Sequence, residues 1–453
     1  MLQTPYLNDQ LKGRIITPGD PDYDRARTVF SGAIDRRPAL IVRAADAADV
    51  SRVIALARDS GLELAVRGGG HSNAGHGVSE GGIVLDLSEL RALEIDVAGR
   101  TAWAETGLTA GEYTAAVGAH GLATGFGDTG SVGIGGITLA GGVGFLVRKH
   151  GLTIDQLLAA ELVTAEGELL HVDAESQPDL FWAIRGGGGN FGVATRLRFR
   201  LHEVGTVVGG LLILPATPEV ITSFVAEAEA ASEELSTIAS VMPAPPLPFV
   251  APEHHGKLVV MAQLAYAGDP DAGRRAVAPF RELATPIADM VRPIPYPALY
   301  PEEADDFHPV AAVRNVFADG FDRRSAETIV ERIEAATAAM AITQLRVLGG
   351  AMAQVPADAT AFAHRDRRVM VNVTAVYGDP DERPAQESWV IGLADELSGR
   401  DGGAYVGFLG QEGDERVRAA YPGATWERLA AIKARYDPDN VFRLNQNVPP
   451  AGR

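Results

Sequence analysis

The 453-residue chain contains no cysteine. That excludes a disulfide framework, a thiolate metal centre and a cysteine nucleophile. Positive charge is also scarce: 40 Lys and Arg against 59 Asp and Glu leave a formal charge of −19. Nucleic acids and anionic membranes require a basic surface to neutralise phosphate, so the balance argues against both as partners. No window approaches the roughly 20 unbroken apolar residues needed to span a bilayer. The opening MLQTPYLNDQLKGRIITPGD has neither a basic head before an apolar run nor a twin arginine. No secretory signal is read there, and a cytoplasmic protein is expected. Metal-ligand spacing is missing too: HH at 254–255 stands alone, no HExxH occurs, and the acidic PEEADD at 301–306 reads as a solvated loop. No metal is expected.

What the chain does have is apolar content, 46%, and 51 glycines. Its length exceeds one ordinary core and implies about two or three domains. Through the first 200 residues strands alternate with helices. PALIVRA (38–44) reads as a strand and DAADVSRVIALARDSG (46–61) as a helix, with Asp46 as its cap and Gly61 as its stop. LEIDV and TAWAE form a hairpin around Ala98, Gly99 and Arg100. Thr109 and Glu112 stand three apart, the spacing at which each side chain satisfies the other's free backbone donor, which predicts a capped helix. GVATRLRFRLH (192–202) alternates with a period of two, a half-buried strand.

Beyond residue 205 the texture changes. Helices are predicted over 218–235, 322–339 and 384–399, and strands in GKLVVMAQLAY, ITQLRVLGGAM, RRVMVNVTAVY and GAYVGFL. The pattern is that of an antiparallel sheet covered by helices on one face. Two proline-rich stretches, MPAPPLPFVAPEHHG and RPIPYPALYPEEADDFHP, read as irregular rims of a cleft.

Three glycine-rich loops stand out: RGGGHSNAGHG (67–77), GFGDTGSVGIGGITLAGGVGF (125–145) and RGGGGNFG (185–192). Glycine lets backbone N–H groups approach a ligand with no Cβ in the way. Three such loops in one domain point to a large anionic ligand. Gly187, Gly189 and Gly192 match a lone GxGxxG, but a helix precedes it and a strand follows, the reverse of a dinucleotide fold. A P-loop is absent.

RGGGHSNAGHG, TGSVGIGGITLAGGVGFLVRKHGLTIDQLLAAELVTAEGELL, FWAIRGGGGNFGVAT and KARYDPDNVFRLNQNVPP, in that order, resemble the FAD-linked oxidases of the berberine bridge enzyme group, in the vanillyl-alcohol oxidase superfamily. The likeness covers nearly the whole chain and is greatest to the 6-hydroxy-D-nicotine oxidase type. It implies an α+β architecture: a PCMH-type, two-subdomain FAD-binding domain over residues 1–205, completed by 420–453, and a substrate domain over 206–419.

By that resemblance His71 is the residue bonded covalently to the flavin 8α carbon, a neutral imidazole acting as nucleophile, and His76 is a loop residue. Arg67, Gly68, Gly69, Gly70 and Ser72 wrap the pyrophosphate. Gly130, Ser131, Val132, Gly133, Gly135, Gly136 and Gly141 lie along the ribityl chain and ring, with Val132 on the approach of dioxygen. Asp155 and the backbone at Val163 hold the adenosine end, Asn190 closes that side, and Asn445 and Asn447 stand near the flavin. Many relatives carry a second link from a cysteine; Thr129 falls at that place, so one histidyl link is expected.

The implied reaction oxidises a C–H bond next to oxygen or nitrogen of a small molecule, with hydride passing to flavin and dioxygen becoming hydrogen peroxide. A tyrosine that several relatives use as base falls at Phe408, and Tyr405, three residues away on a strand, is expected on the opposite face. Tyr377, His364, Asn372 and His308 remain as candidates. Alternatives are a dehydrogenase with another acceptor and an idle flavin-binding protein. The partners expected are a small substrate and dioxygen, and the chain is read as a monomer or a homodimer.

Overall fold

In the computed structural model, which describes residues 11–301, 307–399 and 402–452, two small sheets build the first two hundred residues. Strands Leu40–Arg43, Ile83–Asp86 and Leu64–Arg67 run parallel, with Arg14–Ile16 antiparallel at the edge. Parallel strands need a crossover, and helix Ala47–Ser60 carries the chain from Leu40–Arg43 to Leu64–Arg67 on the far side of Ile83–Asp86. Asp46 accepts the Asp49 N–H at 2.9 Å, and Gly61 ends the helix at φ +67°. The second sheet is antiparallel, in the order Leu93–Asp96, Thr101–Glu105, Val193–Arg200, Leu157–Val163, Leu169–Asp173. The alternating strand sits at its centre, with Leu197 and Phe199 fully buried. Helix Ala110–Gly118 opens with the expected reciprocal cap between Thr109 and Glu112 and packs Tyr113 edge-on against Phe126 and Phe199.

The third sheet begins at Thr206 and has eight strands. Met340–Val347, Val369–Val376 and Ala311–Ala318 form one flank, and Leu235–Pro243, Leu258–Tyr266 and Thr206–Pro215 lie beyond them. Helices Pro218–Ala230, Pro270–Glu282, Arg323–Glu334 and Arg383–Leu397 cover one face. Parity decides what each strand shows to which side: Val369, Val371, Val373 and Ala375 enter the core under the helices. The alternate residues Asn372, Thr374 and Val376 line a cavity on the other face. Among the described residues no helix is long and apolar enough to cross a membrane.

Three expectations need correction. The helix predicted over 218–235 ends at Ala230, and Leu235 already starts a strand. RPIPYPALY is partly regular: Arg292–Pro295 pairs with Thr206–Gly209 at a sheet edge, where proline's missing N–H is tolerated. GAYVGFL is no strand, because Val406–Phe408 closes a 3₁₀ turn. The acidic segment 302–306 lies outside the described residues.

Candidate active site

The three glycine loops and the open face of the third sheet enclose one cavity of about 900 Å³. Loops one and two cross at backbone distance. A Cβ on Gly69 would stand 2.3 Å from the Gly133 nitrogen, and one on Gly133 would stand 2.3 Å from the Gly69 nitrogen. Real Cβ atoms never approach that closely, so glycine is required at both places for steric reasons alone. Gly136 and Gly189 differ: both line the cavity, and nothing lies within 4 Å of a Cβ built on either. Their bare backbone faces open space.

His71 leaves loop one where the loops cross. Its ring stacks on Phe30 at 4.3 Å between centroids, and its Nε2 lies 3.0 Å from the Ser131 hydroxyl of loop two. Burial pushes the imidazole down to about 4, so it is neutral at pH 7. A neutral, oriented imidazole in a glycine-lined cavity is competent as a nucleophile. His76 also lines the cavity and is likewise pushed down to about 4, by burial first and then by the Arg36 charge.

The C-terminal segment closes the third side. Lys433, fully buried, reaches Asp437 at 2.6 Å and the carbonyls of Asn190 and Phe442 at 2.7 and 2.9 Å. Asn190 in turn donates to the Gly187 and Gln446 carbonyls and accepts the Val448 N–H. Asn445 lines the cavity with its Oδ1 buried and unpartnered. Loop one is clamped from the same side: Asn73 donates to the Phe408 carbonyl and Gln411 to that of Ala74, both at 3.0 Å.

A family model described as an FAD binding domain matches residues 38–173, and one described as berberine and berberine like matches 377–449. (R)-6-hydroxynicotine oxidase of Paenarthrobacter nicotinovorans is 31% identical over 98% of both chains. The chain belongs to the berberine-bridge-enzyme-like, FAD-linked oxidoreductases. An uncharacterized FAD-linked oxidoreductase of Bacillus subtilis, YgaK, is 30% identical, again over 98% of each chain. The crystal structure of 6-hydroxy-D-nicotine oxidase from Arthrobacter nicotinovorans has a TM-score of 0.83 at 26% identity, covering 97% of this chain and 98% of that one. Chitooligosaccharide oxidase, at 22% identity, shares the PCMH-type fold with a TM-score of 0.84 over 98% of this chain and all of that one.

The residues present fit the family's cofactor. The cavity is long enough to touch all three glycine loops, Gly136 and Gly189 offer bare backbone to it, and Asn445 Oδ1 and the buried Arg67 Nη1 lack partners. Arg67 is oriented by Asp86 at 2.8 Å and by the Ala26 carbonyl. Arg67, Gly68, Gly69, Gly70, Ser72, Val132, Gly133, Gly135 and Gly136 all line the cavity, as does Thr129.

Other residues expected at the cofactor stand elsewhere in this FAD-linked oxidoreductase. Asp155 faces away from the cavity, its carboxylate held by both Arg365 nitrogens at 2.7 and 2.8 Å, so it joins the two halves of the chain rather than an adenosine. Val163 is fully buried, its backbone paired with Val193 and Leu169 in the second sheet. The Gly130 carbonyl accepts the Gly111 N–H and its Cα faces Tyr300, while Gly141 packs against Tyr405 and Phe362. Asn447 keeps a buried, unpartnered Oδ1 without lining the cavity.

The proton-acceptor candidates separate in the same way. His364 is buried outside the cavity against Phe317, and its Nε2–H donates to the Ala419 carbonyl at 3.0 Å. His308 is exposed. Tyr377 is buried, packs with the core under the helices and also lines the cavity, as do Arg383 and Glu387. Asn372 alone among them lies on the open sheet face, its Oδ1 buried without a partner. Tyr405 does not oppose Phe408: in a 3₁₀ turn residues three apart eclipse, and the two rings meet edge-on at 5.2 Å. The Tyr405 hydroxyl accepts the Gly142 N–H at 2.9 Å, and burial pushes the phenol up to about 12.

Sequence reasoning missed Arg346, which lies over the Phe408 ring and donates to Asp128 at 2.8 Å, to the Val143 carbonyl and to Gln344. The signal was present. Gln344 and Arg346 recur at one parity of a mostly apolar strand, as Asn372 and Thr374 do on the next, and that parity is the face that lines the cavity.

Proposed function

We propose that this FAD-linked oxidoreductase carries its cofactor on His71 through one 8α-histidyl bond, works in the cytoplasm, and oxidises a C–H bond next to nitrogen or oxygen of a small molecule with dioxygen as electron acceptor. The observation that carries the reading is His71 itself, neutral, stacked and hydrogen-bonded where two glycine loops cross. Thr129, with no sulfur, supports a single link. When bound, FAD accepts the hydride and passes the electrons on to dioxygen. The chain's residues bind and orient. The glycine loops approach the cofactor with backbone, Arg346 and Asp128 join loop two to the substrate sheet, and Asn372 and Gln344 present amides to the substrate. Phe408 has no proton to exchange, Tyr405 is bonded by Gly142, and Tyr377 is packed into the core under the helices. This favours an amine, whose neutral form gives up hydride from the adjacent carbon without a strong base.

The test is anaerobic mixing of the yellow protein with secondary amines and with alcohols. Bleaching of the flavin band by an amine, followed on admitting air by hydrogen peroxide and return of the colour, supports the reading. Bleaching with colour restored only by an added dye, and not by air, rejects dioxygen as acceptor.

A further inference from the structure

Three segments converge on His71. Phe30, fixed to loop one by its N–H to the Gly70 carbonyl at 3.1 Å, covers one face of the imidazole with its ring inclined by 22°. Ser131 comes from loop two, and its backbone carbonyl lies at the Gly69–Gly133 crossing, 3.0 Å from where a Gly69 Cβ would be. The position of its hydroxyl is therefore set by the same contact that joins the loops. That hydroxyl meets Nε2 at 3.0 Å, while Nδ1 of His71 has no hydrogen-bond partner among the described residues. A neutral imidazole has one proton and one nucleophilic nitrogen, and the partner of one nitrogen decides which is which.

We propose that Ser131 is the positioning residue for cofactor attachment: it accepts the Nε2–H of His71 and so leaves the Nδ1 lone pair turned toward the 8α carbon of FAD. The proposal rests on the reading that His71 carries the flavin. Attachment breaks one C8α–H bond and the imidazole N–H and forms Nδ1–C8α. The two electrons and two protons released reduce one dioxygen to hydrogen peroxide. Ser131 acts at both ends of this exchange, first by fixing the tautomer and then as the first acceptor next to the departing Nε2 proton. Phe30 prevents the ring from turning over. Burial of the ring adds a corollary: with the imidazole pushed down to about 4, attachment does not gain rate as pH rises from 6 to 8.

Ser131→Ala, Ser131→Thr and His71→Ala chains, each at full length, are incubated in air with saturating FAD. Covalent flavin is followed by fluorescence in denaturing gels and by intact mass, and reversible FAD affinity is measured separately in a His71→Ala background. The expected result, at FAD concentrations that saturate each variant, is attachment slowed by about tenfold or more in Ser131→Ala, the scale of one lost hydrogen bond. Ser131→Thr, which keeps the hydroxyl, recovers the rate. Attachment by Ser131→Ala at the wild-type rate overturns the proposal. A wild-type chain that binds FAD without ever becoming covalently labelled overturns the parent reading and this one with it.

Discussion

Gly69 and Gly136 both line the cavity, yet a methyl group added at each should have opposite consequences. At Gly69 the new Cβ stands 2.3 Å from the Gly133 nitrogen and 3.0 Å from the Ser131 carbonyl oxygen, all backbone, so the loops must part. Overpacking of this kind costs about 1–3 kcal/mol, and here a rigid crossing offers little relaxation. At Gly136 no protein atom lies within 4 Å, and the position falls inside helix Ile134–Ala140. Alanine is favoured over glycine in a helix by up to about 1 kcal/mol, so Gly136→Ala should raise the melting temperature of the unloaded chain by up to about one degree. The same methyl projects into the space assigned to FAD, and a similar overpacking cost of about 1–3 kcal/mol corresponds to affinity weakened by about 5- to 150-fold. Reversible binding is read by quenching of FAD fluorescence in a His71→Ala background, and stability by thermal unfolding without FAD. Gly69→Ala should lower both stability and affinity. If Gly136→Ala is stabilised and binds FAD as tightly as its parent, loop two does not face the cofactor and the assignment of the cavity is wrong.

Lys433→Met should destabilise the chain by about 3–5 kcal/mol, because Asp437 is left buried without its cation, and thermal unfolding measures it. An unchanged melting temperature would contradict the account of the C-terminal clamp. Burial pushes His71, His76, His202 and His364 down to about 4 and His150 to about 3. The unfolded chain protonates them near 6.5, so folding stability from these groups is complete above that pH and declines as pH falls toward 4. A pH titration of the melting temperature should show that decline between 6.5 and 4, and a His364→Gln variant should flatten it; a flat profile down to pH 4 would refute the burial argument. Asn372→Leu should raise KM for the turning-over substrate by about tenfold or more with the FAD spectrum unchanged, since a buried amide facing the cavity loses its ligand partner. An unchanged KM would remove Asn372 from the substrate face.

Much of the fold was readable because local signals were unambiguous. Asp46, Gly61 and the Thr109–Glu112 pair each mark a helix end by a hydrogen bond that needs only neighbouring residues. The alternation of 193–202 needs only a period of two. The first two glycine loops were legible as candidate ligand loops because a run of glycines exposes bare backbone, and the structure brings both to the wall of one cavity. What failed depended on partners distant in sequence. Asp155 reads as a polar loop residue near a nucleotide, and only the fold brings Arg365 from 210 residues away to occupy it. Tyr405 was assigned to the wrong side because a strand was assumed where 403–409 turns through a 3₁₀ step, which changes the residues that share a face from every second to every third. Tyr377 remained a candidate because it is an ionisable residue on the VNVTAVY strand; its odd parity places it with Val373 and Ala375 under the helices. Arg346 shares its parity with Gln344, which was visible in the sequence, but its partner Asp128 lies 218 residues away and only the fold brings it and Phe408 alongside.

The most direct test of the central claim is the intact mass of the full-length protein, purified with FAD and then unfolded in acid. The account predicts a yellow precipitate whose chain is heavier by one FAD moiety, with a peptide map placing the added mass on the segment containing His71 and nowhere else. A colourless precipitate with the mass of the bare chain, from a protein that was yellow before unfolding, would contradict it.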